Sequence, residues 1–186
     1  GMVDTAFGLA EDQRSRLAAL HVPDPASRKA VRFDELAPVS RTVPSFLSGG
    51  GGLVSTADDY LRFCDFLLRQ GERNGVRLLS PRTVDYMTRN HLPGGSDLAG
   101  YARSMFAETA YAGVGFGLGF SVVVDPAANK VLTSPGTFSW GGAASTGFYV
   151  DPVEEVTALF MTQLLPSSTW PLRSQLTQLV SQAILA

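Results

Sequence analysis

The period of the apolar positions changes twice along the chain. Over residues 1–52 no period is sustained. A short helical stretch is predicted over about 11–20, with Leu17 and Leu20 on one face. Pro23, Pro25, Pro38 and Pro44 then punctuate what reads as an extended loop region. A loop that long inside a compact domain is uncommon and must lie on something else. Over 53–115 the period is helical. Tyr60, Phe63, Cys64 and Leu67 recur at helical spacing, so a helix is predicted over about 56–69, stopped by Gly71. Ser55 with Asp58 reads as a capping box, and Asp58 and Asp59 suit the positive end of the helix dipole. Ser80 as N-cap and Pro81 as first helical residue begin a second helix to about 90, with Val84, Met87 and His91 facing inward. Residues 92–115, rich in glycine and small side chains, read as loop.

From 116 onward the texture is that of strands. Residues 118–124, 130–133, 138–142, 145–150 and 156–163 are five candidates, with 125–129 as a hairpin loop between the first two. Asp151-Pro152 with Glu154-Glu155 makes a polar turn between the last two. The end is helical: Leu172, Leu176, Leu179, Val180, Ala183 and Ile184 form an apolar stripe suited to docking on a sheet. The expected fold is α+β, a single domain over 1–186. It has an antiparallel sheet of about five strands, a C-terminal helix packed on it, and two further helices.

Composition narrows the function classes. With 45% hydrophobic and 17% charged positions and a net charge of -2, the 186 residues suit a folded domain rather than a disordered one. No surplus of cations exists to displace counterions from phosphate, so no nucleic-acid partner is expected. No apolar run approaches the ~18 to 20 residues of a membrane span. Cys64 is the lone thiol, which excludes an internal disulfide framework. No signal peptide is visible at the start, so a cytoplasmic location is favoured over a periplasmic one. Two histidines, His21 and His91, lie in no metal-ligand spacing, and neither metal nor cofactor is expected.

Nucleophile motifs are missing. The run Gly49 to Gly52 lacks the Lys-Ser/Thr of a phosphate loop and reads as an entry into the helix behind it. No Gly-x-Ser-x-Gly occurs. The two lysines, Lys29 and Lys130, have Ala26 and Ala127 three positions before them, so there is no Ser-x-x-Lys. None of the tyrosines begins a Tyr-x-Asn. The most distinctive segment is Phe138-Ser139-Trp140-Gly141-Gly142-Ala143, followed by further small residues. Glycines in a strand let a ligand approach the backbone, whose N–H groups can polarise a carbonyl. A glycine bulge at a sheet edge with a packing tryptophan is the plainer reading, and composition alone favours it.

Three segments together resemble the C-terminal part of the serine β-lactamase and penicillin-binding-protein-like hydrolases, most closely class C β-lactamases and β-lactamase-like carboxylesterases. They are Ser48 through Tyr60 with Phe63 and Leu67; Gly75-Val76-Arg77-Leu78-Leu79-Ser80-Pro81 with Thr83, Val84 and Met87; and Gly115 through Trp140-Gly141-Gly142 to Gln163. Gly1-Met2-Val3-Asp4-Thr5-Ala6-Phe7 is similar to the family's Gly-Met-x-Asp-Thr-x-Phe. The resemblance implies a partial β-lactamase/transpeptidase-like fold and a serine acyl-enzyme chemistry. It implies that Trp140-Gly141-Gly142 stands where β-lactamases carry Lys-Thr-Gly. The oxyanion and substrate-binding residues would then be Ser139, Trp140, Gly141, Gly142 and Ala143, with the Ala143 N–H as one oxyanion donor. Trp140 in place of lysine favours small esters or amides over β-lactams. The family's Ser-x-x-Lys and Tyr-x-Asn lie before every segment matched here, so no catalytic residue is expected in this chain.

Two functions follow as expectations. One is the C-terminal portion of a serine hydrolase, inactive alone and acting on a small ester or amide once the N-terminal portion completes it. The other is a non-catalytic remnant that binds a ligand or a protein. Either way a bared sheet edge and helix face predict a homodimer.

Overall fold

The computed structural model describes residues 1–36, 43, 45–101 and 111–184. Pro38, Pro44 and residues 102–110 of the expected loop lie outside them. In chain order the strands are β1 (Ala6–Phe7), β2 (His21–Asp24), β3 (Lys29–Arg32), β4 (Leu53–Val54), β5 (Glu72–Arg73), β6 (Val76–Arg77), β7 (Val114–Phe116), β8 (Ser121–Val123), β9 (Phe138–Gly141), β10 (Gly147–Asp151) and β11 (Val156–Phe160). The α-helices are α1 (Ala57–Leu68), α2 (Pro81–Met87), the single turn α3 (Pro126–Asn129) and α4 (Leu172–Ala183). The main sheet is antiparallel, with spatial order β11-β10-β9-β8-β7. The α+β class and the five-stranded count therefore hold.

The sheet's membership differs from expectation. Residues 130–133 are not the partner of β8. Asp125 accepts hydrogen bonds from Ala127 N (3.0 Å) and Ala128 N (3.1 Å), and Pro126 supplies a preset first turn, so the chain starts a helix instead of a hairpin. Lys130 then takes a left-handed conformation and ends it. The strand returning beside β8 is β9. The fifth strand is β7, which begins inside the stretch read as loop and is too short to show a period.

Other boundaries move for local reasons. The N-cap of α1 is Thr56, whose hydroxyl accepts from Asp59 N at 3.3 Å; Ser55 bonds the Thr5 hydroxyl at 2.8 Å instead of forming a capping box. Helix α2 ends at Met87, so His91 is exposed beyond it, its Nε2 2.7 Å from the Tyr86 carbonyl. The stretch 11–20 holds only a 3₁₀ segment, Glu11–Arg16, which buries none of its residues; Leu20 is buried beyond its end. The region 1–52 is not all loop: β2 and β3 form a hairpin, and β1 pairs with β4. The β3 residues are all exposed, which leaves no alternation to read.

The segments around β1 and β4 form one unit. Asp59 is buried and accepts from Asp4 N (2.7 Å), Thr5 Oγ1 (2.9 Å) and the Arg62 guanidinium. Burial pushes its pKa up, but these donors outweigh it and hold the carboxyl below the usual range. The hydrogen bonds explain why the Gly1–Phe7 and Ser48–Tyr60 motifs occur together.

The core lies between α1 and one face of the sheet. Cys64 and Leu67 of α1 meet Phe120, Val122, Phe138, Phe148 and Val150. Phe120 stacks against Phe138 (5.2 Å between centroids), and Tyr60 against Phe148 (5.2 Å). Burial pushes the Cys64 thiol up to about 12, so it behaves as a small apolar side chain. Helix α4 rests on β11 on the opposite face. It has no fully buried residue, and Leu179 and Ala183 of its predicted apolar stripe are exposed.

Candidate active site

All five site residues predicted from the sequence line one cavity of about 930 Å³ between the sheet and α4. Alternation along β9 sets their directions. Phe138 points to the α1 face, and the half-exposed Trp140 ring meets Phe116 edge-on at 5.2 Å. Ser139 points to the α4 face, its hydroxyl 2.8 Å from that of Ser121.

The edge of β9 is open where these residues lie. The Thr137 carbonyl accepts from Val123 N (2.8 Å), and the Ser139 carbonyl accepts from Ser121 Oγ (2.9 Å), so odd-numbered residues direct their backbone groups towards β8. Strand β8 begins at Ser121. The next positions on this edge, Gly141 and Ala143, have no strand opposite. Ala143 is exposed, and its N–H donates to none of the described residues.

A tight hairpin turn holds that N–H in place. Gly142 N donates to the Thr146 carbonyl (2.9 Å), and Ser145 N donates to the Gly142 carbonyl (3.1 Å). Ser145 sits at φ 70°, the left-handed residue of a three-residue hairpin loop. It is fully buried, and its hydroxyl donates to the Leu164 carbonyl at 2.6 Å. Leu164 N in turn donates to the Ala144 carbonyl (3.0 Å). The turn is therefore fixed from outside as well as from within.

One residue at the site escaped the sequence reading. Arg173, in the first turn of α4, lays its side chain over β9 and β10 and donates from Nη2 to the Gly142 carbonyl at 2.6 Å. A Cβ on Gly141 would collide with the guanidinium, and one on Gly147 would sit 3.0 Å from Arg173 Cγ. Gly141 and Gly147 are register partners, so this pair forms a channel for the arginine. The signal was two glycines facing each other across a hairpin, which becomes visible only once the register is known.

The ring of His21 contacts the Ala19 carbonyl (3.0 Å), and that of His91 contacts the Tyr86 carbonyl. Among the described residues no three His, Cys, Asp or Glu side chains converge to hold a metal, and no helix is long and apolar enough to cross a membrane. What the site offers is an exposed backbone N–H on a turn held by hydrogen bonds.

The Beta-lactamase family model matches residues 1–182. Protein Rv1367c of Mycobacterium tuberculosis is 41% identical over 169 residues, covering 89% of this chain and 41% of that protein. Esterase EstB of Burkholderia gladioli is 30% identical over 177 residues, covering 87% of this chain and 40% of that protein. The chain thus spans about two-fifths of the length of the curated relatives it matches. Among solved structures, a simvastatin synthase mutant from Aspergillus terreus superposes with a TM-score of 0.80 at 21% identity, over 97% of this chain and 46% of that one. EstCE1, a hydrolase with promiscuous acyltransferase activity, superposes with a TM-score of 0.71 at 22% identity, over 95% of this chain and 45% of that one. The family model covers nearly the whole chain, and relatives at 41% and 30% identity cover most of it: this chain belongs to the Beta-lactamase family.

Proposed function

We propose that this chain is the C-terminal portion of a serine hydrolase that transfers the acyl group of a small ester or amide through a serine acyl-enzyme. The observation that carries the reading is the open edge after β9, where the exposed Ala143 N–H donates to none of the described residues. Such a donor stabilises the oxyanion that develops as a carbonyl is attacked. Trp140 offers an apolar wall where a cation would favour a carboxylate, which supports simple esters or amides. The esterase and acyltransferase names among the relatives point the same way.

The nucleophile of this reading lies outside the chain. Neither Lys29 nor Lys130 completes a Ser-x-x-Lys. The complementary portion would supply that motif, and would cover the outer edge of β11 and the groove beneath α4. Without it the same surfaces drive the chain into a homodimer.

The test is reconstitution. The DNA upstream of Gly1 should encode an in-frame Ser-x-x-Lys. Joined to that portion, the chain should hydrolyse p-nitrophenyl acetate, and mass spectrometry should find an acyl adduct on the new serine. The 186-residue chain alone should do neither. Turnover by the chain alone, or no such motif upstream, would overturn the reading and favour a non-catalytic binding module.

A further inference from the structure

We propose that Arg173 is a positioning residue that sets the direction and donor strength of the Ala143 N–H. The inference rests on the acyl-transfer reading of that N–H. The Gly142 carbonyl and the Ala143 N–H belong to one planar peptide unit and point in opposite directions. Holding the carbonyl therefore aims the N–H. The Gly142 carbonyl accepts two hydrogen bonds, from Arg173 Nη2 (2.6 Å) and from Ser145 N (3.1 Å). The first is charge-assisted and short, the strong kind.

The arrangement is specific to this peptide. The arginine reaches it from α4, a different element, by crossing Gly141 and Gly147, where any Cβ would crowd or displace it. Only the carbonyl side is gripped; the N–H side faces the open edge. Polarisation passes along a peptide, so a cation at the carbonyl makes the opposite N–H a better donor. As negative charge develops on a substrate oxygen at Ala143, a positive charge two bonds behind the donor also favours it electrostatically. Arg173 would do this without touching the substrate.

Two arms test the proposal. In the labelled 186-residue chain, a coupling across the hydrogen bond should link Arg173 Nη to the Gly142 carbonyl carbon. Arg173→Gln should shift that carbon and the Ala143 amide upfield while distant resonances stay put, and Arg173→Lys should restore part of the shift. In the reconstituted enzyme, Arg173→Gln should lower kcat about 10-fold with KM within about twofold, since outright loss of one oxyanion donor costs ~10² to 10³. The pH profile should keep its shape, and Arg173→Lys should recover most of the loss. Unmoved Gly142 and Ala143 signals would overturn the proposal, as would an unchanged kcat in an enzyme whose unsubstituted form is active. If the unsubstituted reconstituted enzyme shows no turnover, the acyl-transfer reading fails and the catalytic role falls with it. The coupling would then still decide whether Arg173 orients the peptide.

Discussion

On the side of the sheet towards α1, Phe138 is packed among Phe120, Cys64 and Leu67 and is almost fully buried. One residue further along the same strand, Ser139 points the other way, into a cavity of about 930 Å³ roofed by a helix with no fully buried side chain. The first face is dry, aromatic and closed by residues of this chain. The second carries Ser121, Thr137 and Ser139, and much of the apolar stripe of α4 remains in contact with solvent. One hydrophobic core therefore supports the fold, and the site is placed where that core stops, at the end of β9. An edge that is left unpaired requires that the residues behind it be fixed by something other than a neighbouring strand. Here the hairpin turn, Leu164 and Arg173 fix them.

The contrast can be broken by substitution. Phe138→Ala should cost about 3–5 kcal/mol, because it opens a cavity in the closed core on the α1 face. A urea midpoint shift smaller than about 1 kcal/mol equivalent would mean the α1 face is not the main support. Asp151→Ala should come next, at about 2–3 kcal/mol. Its buried carboxylate accepts from Thr137 Oγ1 (2.8 Å), Ser134 N (2.9 Å), Val153 N (3.0 Å) and Glu154 N (3.2 Å), and these donors would be orphaned.

Acid should act through the same carboxylates. Burial raises the pKa of Asp151, but its four donors outweigh it and the net shift is downward, as at Asp59. A depressed folded pKa means the unfolded chain binds the proton first. The stabilisation is complete above the unfolded value of about 4 and is lost as pH falls through the lower folded values. Denaturation midpoints should hold steady from about pH 7 to 5 and drop below about 4. Asp151→Asn should flatten part of that drop.

Ser139→Ala, on the open face, should cost about 1 kcal/mol or less, since it removes one hydroxyl pair and little packing. Leu179→Glu should change monomer stability by less than about 0.5 kcal/mol, because the side chain is 67% exposed. Light scattering on the 186-residue chain should nonetheless show the proposed homodimer weakened. A dimer indifferent to Leu179→Glu would place the contact elsewhere than on α4.

Long periodic elements were legible in the sequence and short ones were not. Helix α1 shows itself through Tyr60, Phe63, Cys64 and Leu67, because one buried face repeats over three turns. Strands β9, β10 and β11 show through β-branched and aromatic runs. Strand β7 is three residues long and pairs only because β8 lies beside it, so no local pattern announces it. The mistaken strand at 130–133 was read from apolar residues that in fact follow a helical turn set by Asp125 and Pro126. The five site residues were picked out by an unusual Trp-Gly-Gly, but which of them lie beyond the end of β8 follows from register.

The amino-acid sequence by itself determined the α+β class, the main helices and the family, because those rest on local periodicity and on motifs read within a few residues. It also determined that the chain has no Ser-x-x-Lys. Only the tertiary structure decided that β8 stops short of Gly141 and leaves the Ala143 N–H on an open edge. It alone brought Arg173, thirty-one positions away, onto the Gly142 carbonyl. Both depend on which strand ends beside which and on a helix crossing a hairpin. Those distances are set by packing across the whole sheet and have no signature in any short stretch of chain.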